Sequence, residues 1–270
     1  EIQHVRDFPD IINSLNLKSM VDLYVTGSNA YMLSSEIATL LSGRYVEIAM
    51  LPLSFKEYVE GIGGTDDLSQ TYMEYVSKSS FPYTLELDTA SEISDYLNAV
   101  YNTIVVKDIM SRNKLSDVMM LESVIRFTAD NIGNILSTKR IADLMTADGR
   151  KIDQKTVEKY LSAFCESFFL YECKRYNIKG KQLLKTLGKY YLVDIGLRRM
   201  LLGSRSFDAG RILENNVYLE LLRRQKKVYI GKADNLEVDF VAIDENGITY
   251  YQVAATVRDE NTLKRELASL

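Results

Sequence analysis

The stretch from Tyr24 to Tyr58, YVTGSNAYMLSSEIATLLSGRYVEIAMLPLSFKEY, constrains the fold of this chain more than any other. Leu23-Tyr24-Val25 is a short apolar run stopped by the turn residues Thr26-Gly27-Ser28-Asn29, the pattern of a buried strand ending in a polar loop. Met32, Leu33, Ile37, Leu40 and Leu41 recur at helical spacing behind a Ser34 or Ser35 cap. Gly43 closes that helix before a second apolar run, Tyr45 to Leu51. Two strands and a helix within about thirty residues predict a βαβ unit, with a parallel sheet and a right-handed crossover. Ligands on such sheets bind at the carboxyl ends of the strands, where Thr26, Ser28 and Asn29 fall.

Downstream the pattern changes. Residues 56 to 125 read as mostly helical, with Ile93, Leu97, Val100, Tyr101, Ile104, Val105 and Ile109 at helix-like intervals. Thr138 to Leu144 predicts a short helix, Thr146 to Arg150 a turn, and Asp153 the cap of a second helix with Val157, Tyr160, Leu161 and Phe164 on one face. Phe168 to Cys173 and Tyr190 to Val193 complete a β-ribbon, so the segment predicts a winged helix. Lys174, Arg175, Lys179, Lys181, Lys185 and Lys189 line the ribbon with no acid among them, a run suited to gripping phosphates. The opposing reading is a wing packed on its own protein, since the second helix mixes Lys155 and Lys159 with Glu158 and Glu166.

In the last seventy residues Glu214 lies in a predicted helix, Arg211 to Arg224. Three predicted strands come after it: Val228-Ile230, Glu237-Val241 and Tyr250-Ala254, the last two joined at Asp244 to Gly247. A helix acid, a strand acid and a polar-x-Lys strand resemble the PD-(D/E)xK nucleases, whose carboxylates hold magnesium while the Lys stabilises charge. Glu214 and Asp239 match the first two positions, but the third reads Gln252-Val253-Ala254. The resemblance implies that fold with a degenerate site, little or no metal, and no cleavage. Asp239 is expected on one strand face, with Val238 and Phe240 on the other.

The runs TGSNAYMLS, LSGRYVEI and LPLSFKEY, in that order, are similar to those of prokaryotic AAA-type ATPases that carry a C-terminal domain of unknown function. TIVVKDIMSR, YYLVDIGLRR, GRILENNVYLELLRR and EVDFV extend the resemblance over nearly the whole chain. It implies that Thr26, Ser28 and Asn29 sense nucleotide, and that Arg44 touches a neighbouring subunit's nucleotide unless it is a structural ion pair. EIQHVRDFPDIINSL resembles the segment after the family's Walker B strand, which makes Glu1 the catalytic acid that activates water and makes the chain a fragment. Lys107, Asp108 and Arg112 match the family's KDI-x-x-R run, with a solvated helix face as the other reading.

A Walker A loop needs G-x-x-x-x-G-K-[ST]. Gly180-Lys181, Gly188-Lys189 and Gly231-Lys232 are followed by Gln182, Tyr190 and Ala233, so the chain has no such loop. A lone His4 with Cys165 and Cys173 excludes a Cys/His zinc cage and a disulfide framework, which predicts a cytoplasmic setting. No apolar run has the length of a membrane helix. A formal charge of −4 argues against a nucleic-acid-coating protein while permitting a local basic patch.

The expected architecture is α/β: part of an AAA core over 1–60, a helical lid over 61–125, a winged helix over 126–203 and a truncated nuclease-like domain over 204–270. The expected function is that of a fragment of an ATPase that couples nucleotide state to its C-terminal modules. ATP and magnesium serve the parent and neither serves the fragment. Expected partners are DNA through the wing, and another protein or a second copy. The alternatives are a non-catalytic DNA- or partner-binding module and a metal-dependent nuclease.

Overall fold

The computed structural model describes residues 5–18, 20–27, 45–110, 113, 115, 117–203, 208–224, 226–233, 236–258 and 260–267. After α1 (Phe8–Asn16) a helical layer is built from α2 (Phe55–Gly61), α3 (Leu68–Ser77), α4 (Ala90–Asn102), α5 (Val118–Asp130), α6 (Thr138–Ala147) and α7 (Gln154–Glu166). Side-chain caps start these helices. Ser54 with Glu57 and Thr89 with Glu92 form reciprocal capping boxes, and Asp153 accepts from the Thr156 N–H. The turn expected at Thr146 begins later, because α6 runs on to Ala147. A π-helical turn, Thr103–Met110, continues α4 and contains Lys107 and Asp108; Arg112 lies outside the described residues.

The chain is mixed α/β. Its sheet has five strands in the order β2-β1-β3-β4-β5. They are β1 (Leu170–Asn177), β2 (Gln182–Leu192), β3 (Lys227–Ala233), β4 (Leu236–Asp244) and β5 (Gly247–Tyr251). β1 and β3 are parallel and the other neighbours antiparallel. Between β2 and β3 run α8 (Ile195–Leu202) and α9 (Ala209–Arg223), and α10 (Glu260–Leu267) comes after β5. The β1–β2 ribbon expected as a separate wing is therefore part of a sheet that includes strands from both sides of residues 203 and 204.

Alternation along β2 divides the interior. Tyr190 and Leu192 face the helical core with Val124, Phe164 and Leu197. Tyr191 between them faces α9, in a second cluster with Cys173, Tyr218, Ile230 and Phe240. Asp194, fully buried just past β2, ties the end of that strand and the start of α8 to the segment after α3. Its Oδ2 accepts from the Ser80 N–H at 2.6 Å and the Ser80 hydroxyl at 2.7 Å, and its Oδ1 accepts from Leu197 N–H at the start of α8. Gly196 is required beside it, since a Cβ there would lie 2.3 Å from the Lys78 carbonyl oxygen.

The expected βαβ unit is not formed by the described residues. Residues 21–27 and 45–50 belong to no strand, and Val46, Ile48 and Met50 are 88%, 71% and 87% exposed. A strand exists through hydrogen bonds to a neighbour, and every described strand lies between Leu170 and Tyr251. Apolar composition alone does not supply that neighbour. Glu1, Ser28, Asn29, Arg44 and the expected helix around Met32 to Leu41 lie outside the described residues.

Candidate functional site

The charged centre of the structure assembles where α9 crosses the sheet. Asp208 caps α9, and Ile212, Tyr218 and Leu219 bury one side of it. Asn215 fixes the helix to β2 as a strand would: its Oδ1 accepts from Leu192 N–H at 2.8 Å and its Nδ2 donates to Leu192 O at 2.9 Å. The preceding residue, Glu214, is thereby held against Lys189 and Tyr191. Gly133, at φ 73°, passes directly over the carboxylate, where a Cβ would lie 3.1 Å from Glu214 Oε2.

Asp239 arrives by a β-bulge. Between two ladder pairs β3 advances from Tyr229 to Gly231 while β4 retreats from Val241 to Val238, so β4 carries the additional residue. Strict alternation would have put Asp239 and Phe240 on opposite faces, and the bulge overturns that expectation. Phe240 packs on Tyr191 and on Tyr218 of α9, and Asp239 meets Lys189 on the same side. The Asp239 carboxylate also accepts from Val253 N–H at 2.8 Å. Gln252 Oε1 is spent on the Asp239 N–H at 3.2 Å.

At the centre stands Lys189, with a side chain 4% exposed. Its Nζ lies 2.9 Å from Glu214 Oε1, 2.8 Å from Glu237 Oε1 and 3.7 Å from Asp239 Oδ1. Tyr191 donates its hydroxyl to the same Glu214 oxygen at 2.6 Å. Burial alone would lower the Lys189 pKa, but the facing Glu214 and Glu237 carboxylates outweigh it and hold the ammonium above its ordinary value. Glu214 moves above the usual carboxylate range because burial opposes its charge; Lys189 and Tyr191 offset this in part, and Asp239 adds repulsion.

These residues do not fit a magnesium ion. The position central to the acids is taken by the lysine nitrogen, and among the described residues no group of His, Cys, Asp or Glu is arranged to hold a metal. Nor do they fit a nucleotide phosphate cradle. Gly180-Lys181 lies at the β1–β2 turn, Gly188-Lys189 within β2 and Gly231-Lys232 within β3, none at a helix N-terminus.

Of the residues singled out by the sequence, Glu214 and Asp239 meet through Lys189. Lys174, Lys179 and Lys181 lie exposed along the ribbon, Arg175 is half-buried, and Thr26 is exposed. Lys189, expected to face phosphates, is instead inside. Its period-two relation to the apolar Tyr191 carried that information, as did the relation of Glu237 to Asp239. Asn215 had no motif to announce it.

Two family models match the chain. Residues 69–208, more than half of it, match the family described as Domain of unknown function (DUF8612). The chain belongs to that family. Residues 1–59 match the model described as AAA domain. The DUF8612 match contains Lys189 and Tyr191 and ends before Glu214. An "Uncharacterized protein" of Haemophilus influenzae is 40% identical over 97% of this chain and 66% of its own length. "Uncharacterized protein MJ1544" of Methanocaldococcus jannaschii is 28% identical over 91% of this chain and 58% of its own length. The chain thus spans under two thirds of the relatives it matches. No solved structure matches it. No helix among the described residues is long and apolar enough to cross a membrane.

Proposed function

We propose that this DUF8612 chain is the part of an AAA-type ATPase that receives the nucleotide signal, and that its C-terminal half is a nuclease-like fold converted to a non-catalytic module. The observation that carries this is the Lys189 ammonium at 2.8–2.9 Å from Glu214 and Glu237, in the place a metal ion would need. An internal cation satisfies the carboxylates and leaves no water-activating ion beside them. Manganese titration followed by the free-ion resonance signal tests it. The wild type is expected to bind no more manganese than Glu214→Ala/Asp239→Ala, and a wild-type site absent from that double variant contradicts the reading.

The AAA-domain match over 1–59 supports the ATPase assignment. In the longer protein the phosphates of ATP and the magnesium would be held by residues outside this chain. Glu1 would activate water, with Thr26, Ser28, Asn29 and Arg44 near the nucleotide. Glu1→Gln in that protein is expected to bind ATP and stall hydrolysis; unchanged turnover contradicts the role. We read 61–125 as a lid, α6, α7 and the β1–β2 ribbon as a winged helix merged into the sheet, and the setting as cytoplasmic.

A second reading, DNA contact through the ribbon, rests on Lys174, Lys179 and Lys181, which lie exposed along one projection of the sheet. A protein partner or a second copy would engage the same modules.

A further inference from the structure

Four contacts tie the end of the AAA-matching region to the body that holds Lys189. Leu53 N–H donates to Ser80 O at 2.8 Å. The Tyr75 hydroxyl donates to Leu53 O at 2.9 Å, and Arg223 Nη2 donates to Pro52 O at 2.8 Å. Leu51 packs against the cluster that contains Tyr191, Tyr218 and Phe240. The residues just upstream, 45–50, belong to no strand or helix and are exposed. Leu51, Pro52 and Leu53 are thus where this segment is held to the body.

α9 meets this segment at its C-terminal end and carries Glu214 of the charged centre two turns and more upstream. Arg223 grips Pro52 at its C-terminus, Asn216 donates to the Tyr72 hydroxyl, Asn215 clamps β2, and Glu214 pairs with Lys189. Glu214 and Arg223 are nine positions apart along the helix, about 13 Å. A helix is stiff over that length, so displacement at Arg223 is felt at Glu214. Leu51 supplies a second link, since it packs against the cluster that contains Tyr191, whose hydroxyl holds the same Glu214 oxygen.

We propose that Leu51-Pro52-Leu53 and Arg223 form a latch that backs the Asn215 clamp in holding α9 against the sheet, and that releasing it weakens that clamp, loosens Glu214 from Lys189 and opens the Glu214, Glu237 and Asp239 carboxylates to solvent. This gives the nucleotide signal of the proposed function its receiver, and rests on that reading only for the source of the pull. Arg223 and Leu51 act as positioning residues; neither touches Lys189.

The test is the rate at which an amine-reactive ester labels Lys189 in this 270-residue chain, read by mass spectrometry with the exposed Lys56 as internal reference. Wild-type Lys189 is expected to be strongly protected. Arg223→Lys, which keeps the charge but shortens the reach to Pro52, and Leu51→Ala should each raise its labelling about tenfold or more without changing Lys56. Arg199→Ala is the control, because Arg199 donates to Ser77 O in the same neighbourhood but touches neither α9 nor Leu51–Leu53. A Lys189 rate raised in Arg223→Lys and Leu51→Ala but not in Arg199→Ala supports the latch. Unchanged rates in the first two, or an equal rise in all three, overturn it. Because no nucleotide is used, failure here leaves the ATPase reading standing, and failure of ATP binding in the longer protein leaves the latch standing.

Discussion

Lys189 Nζ stands 2.9 Å from Glu214 Oε1, and Tyr191 closes on the same oxygen at 2.6 Å. A buried lysine in that position is a consequence of charge arithmetic. Glu214, Glu237 and Asp239 converge on a poorly solvated centre, and only an internal cation makes their approach tolerable.

Lys189→Met should therefore destabilise the fold by about 3–5 kcal/mol, since it leaves converging carboxylates with no counter-charge. Urea denaturation at neutral pH measures this. Lys189→Met/Glu214→Gln should recover part of the loss, because it removes one buried negative charge. A single-variant cost under about 1 kcal/mol would show that the centre is well hydrated.

The raised pKa of Glu214 fixes the sign of a pH effect. Between its ordinary value near 4.5 and its higher folded value, the folded state binds more protons than the unfolded state, so stability falls as pH rises. Glu214→Gln mimics the protonated form and lacks this loss. Its stability relative to wild type should improve on going from pH 4 to pH 8, as read by thermal denaturation at each pH. The opposite trend would mean that Lys189 dominates and holds Glu214 below its usual value.

Much of this was legible before folding. Glu214 in a helix, Asp239 in a strand and the β4–β5 turn were all readable from periodicity and turn chemistry, and the Asp153 cap comes from the same local rules. What escaped was non-local. The bulge that turns Asp239 toward α9 depends on pairing with β3, which no periodicity in β4 contains. Sequence groups Lys189 with its basic neighbours because it shows charge but not depth. Composition alone points to strands at residues 23–25 and 45–51, but a strand also needs a partner.

Asp194 ties the start of α8 to the segment after α3, and Asp194→Ala should cost about 2–4 kcal/mol by stranding the donors of Ser80 and Leu197. Gly196→Ala should be at least as damaging, because its methyl would meet the Lys78 carbonyl. Melting temperatures compare the two; a neutral Gly196→Ala would show that the corner yields.

If the ribbon contacts DNA, affinity should fall steeply with salt, and neutralising Lys179 and Lys181 should flatten the slope. Fluorescence anisotropy with a labelled duplex at several salt concentrations measures both. No binding at low salt, or binding insensitive to salt, would assign the ribbon to packing.

If Lys189 stands in for a catalytic metal in this centre, the chain cleaves no DNA. Supercoiled plasmid incubated with the chain and magnesium or manganese tests it most directly, with Asp239→Ala as the paired control. Intact supercoils are expected with both proteins. Nicking by the wild type that disappears in Asp239→Ala would contradict it and make the chain a nuclease.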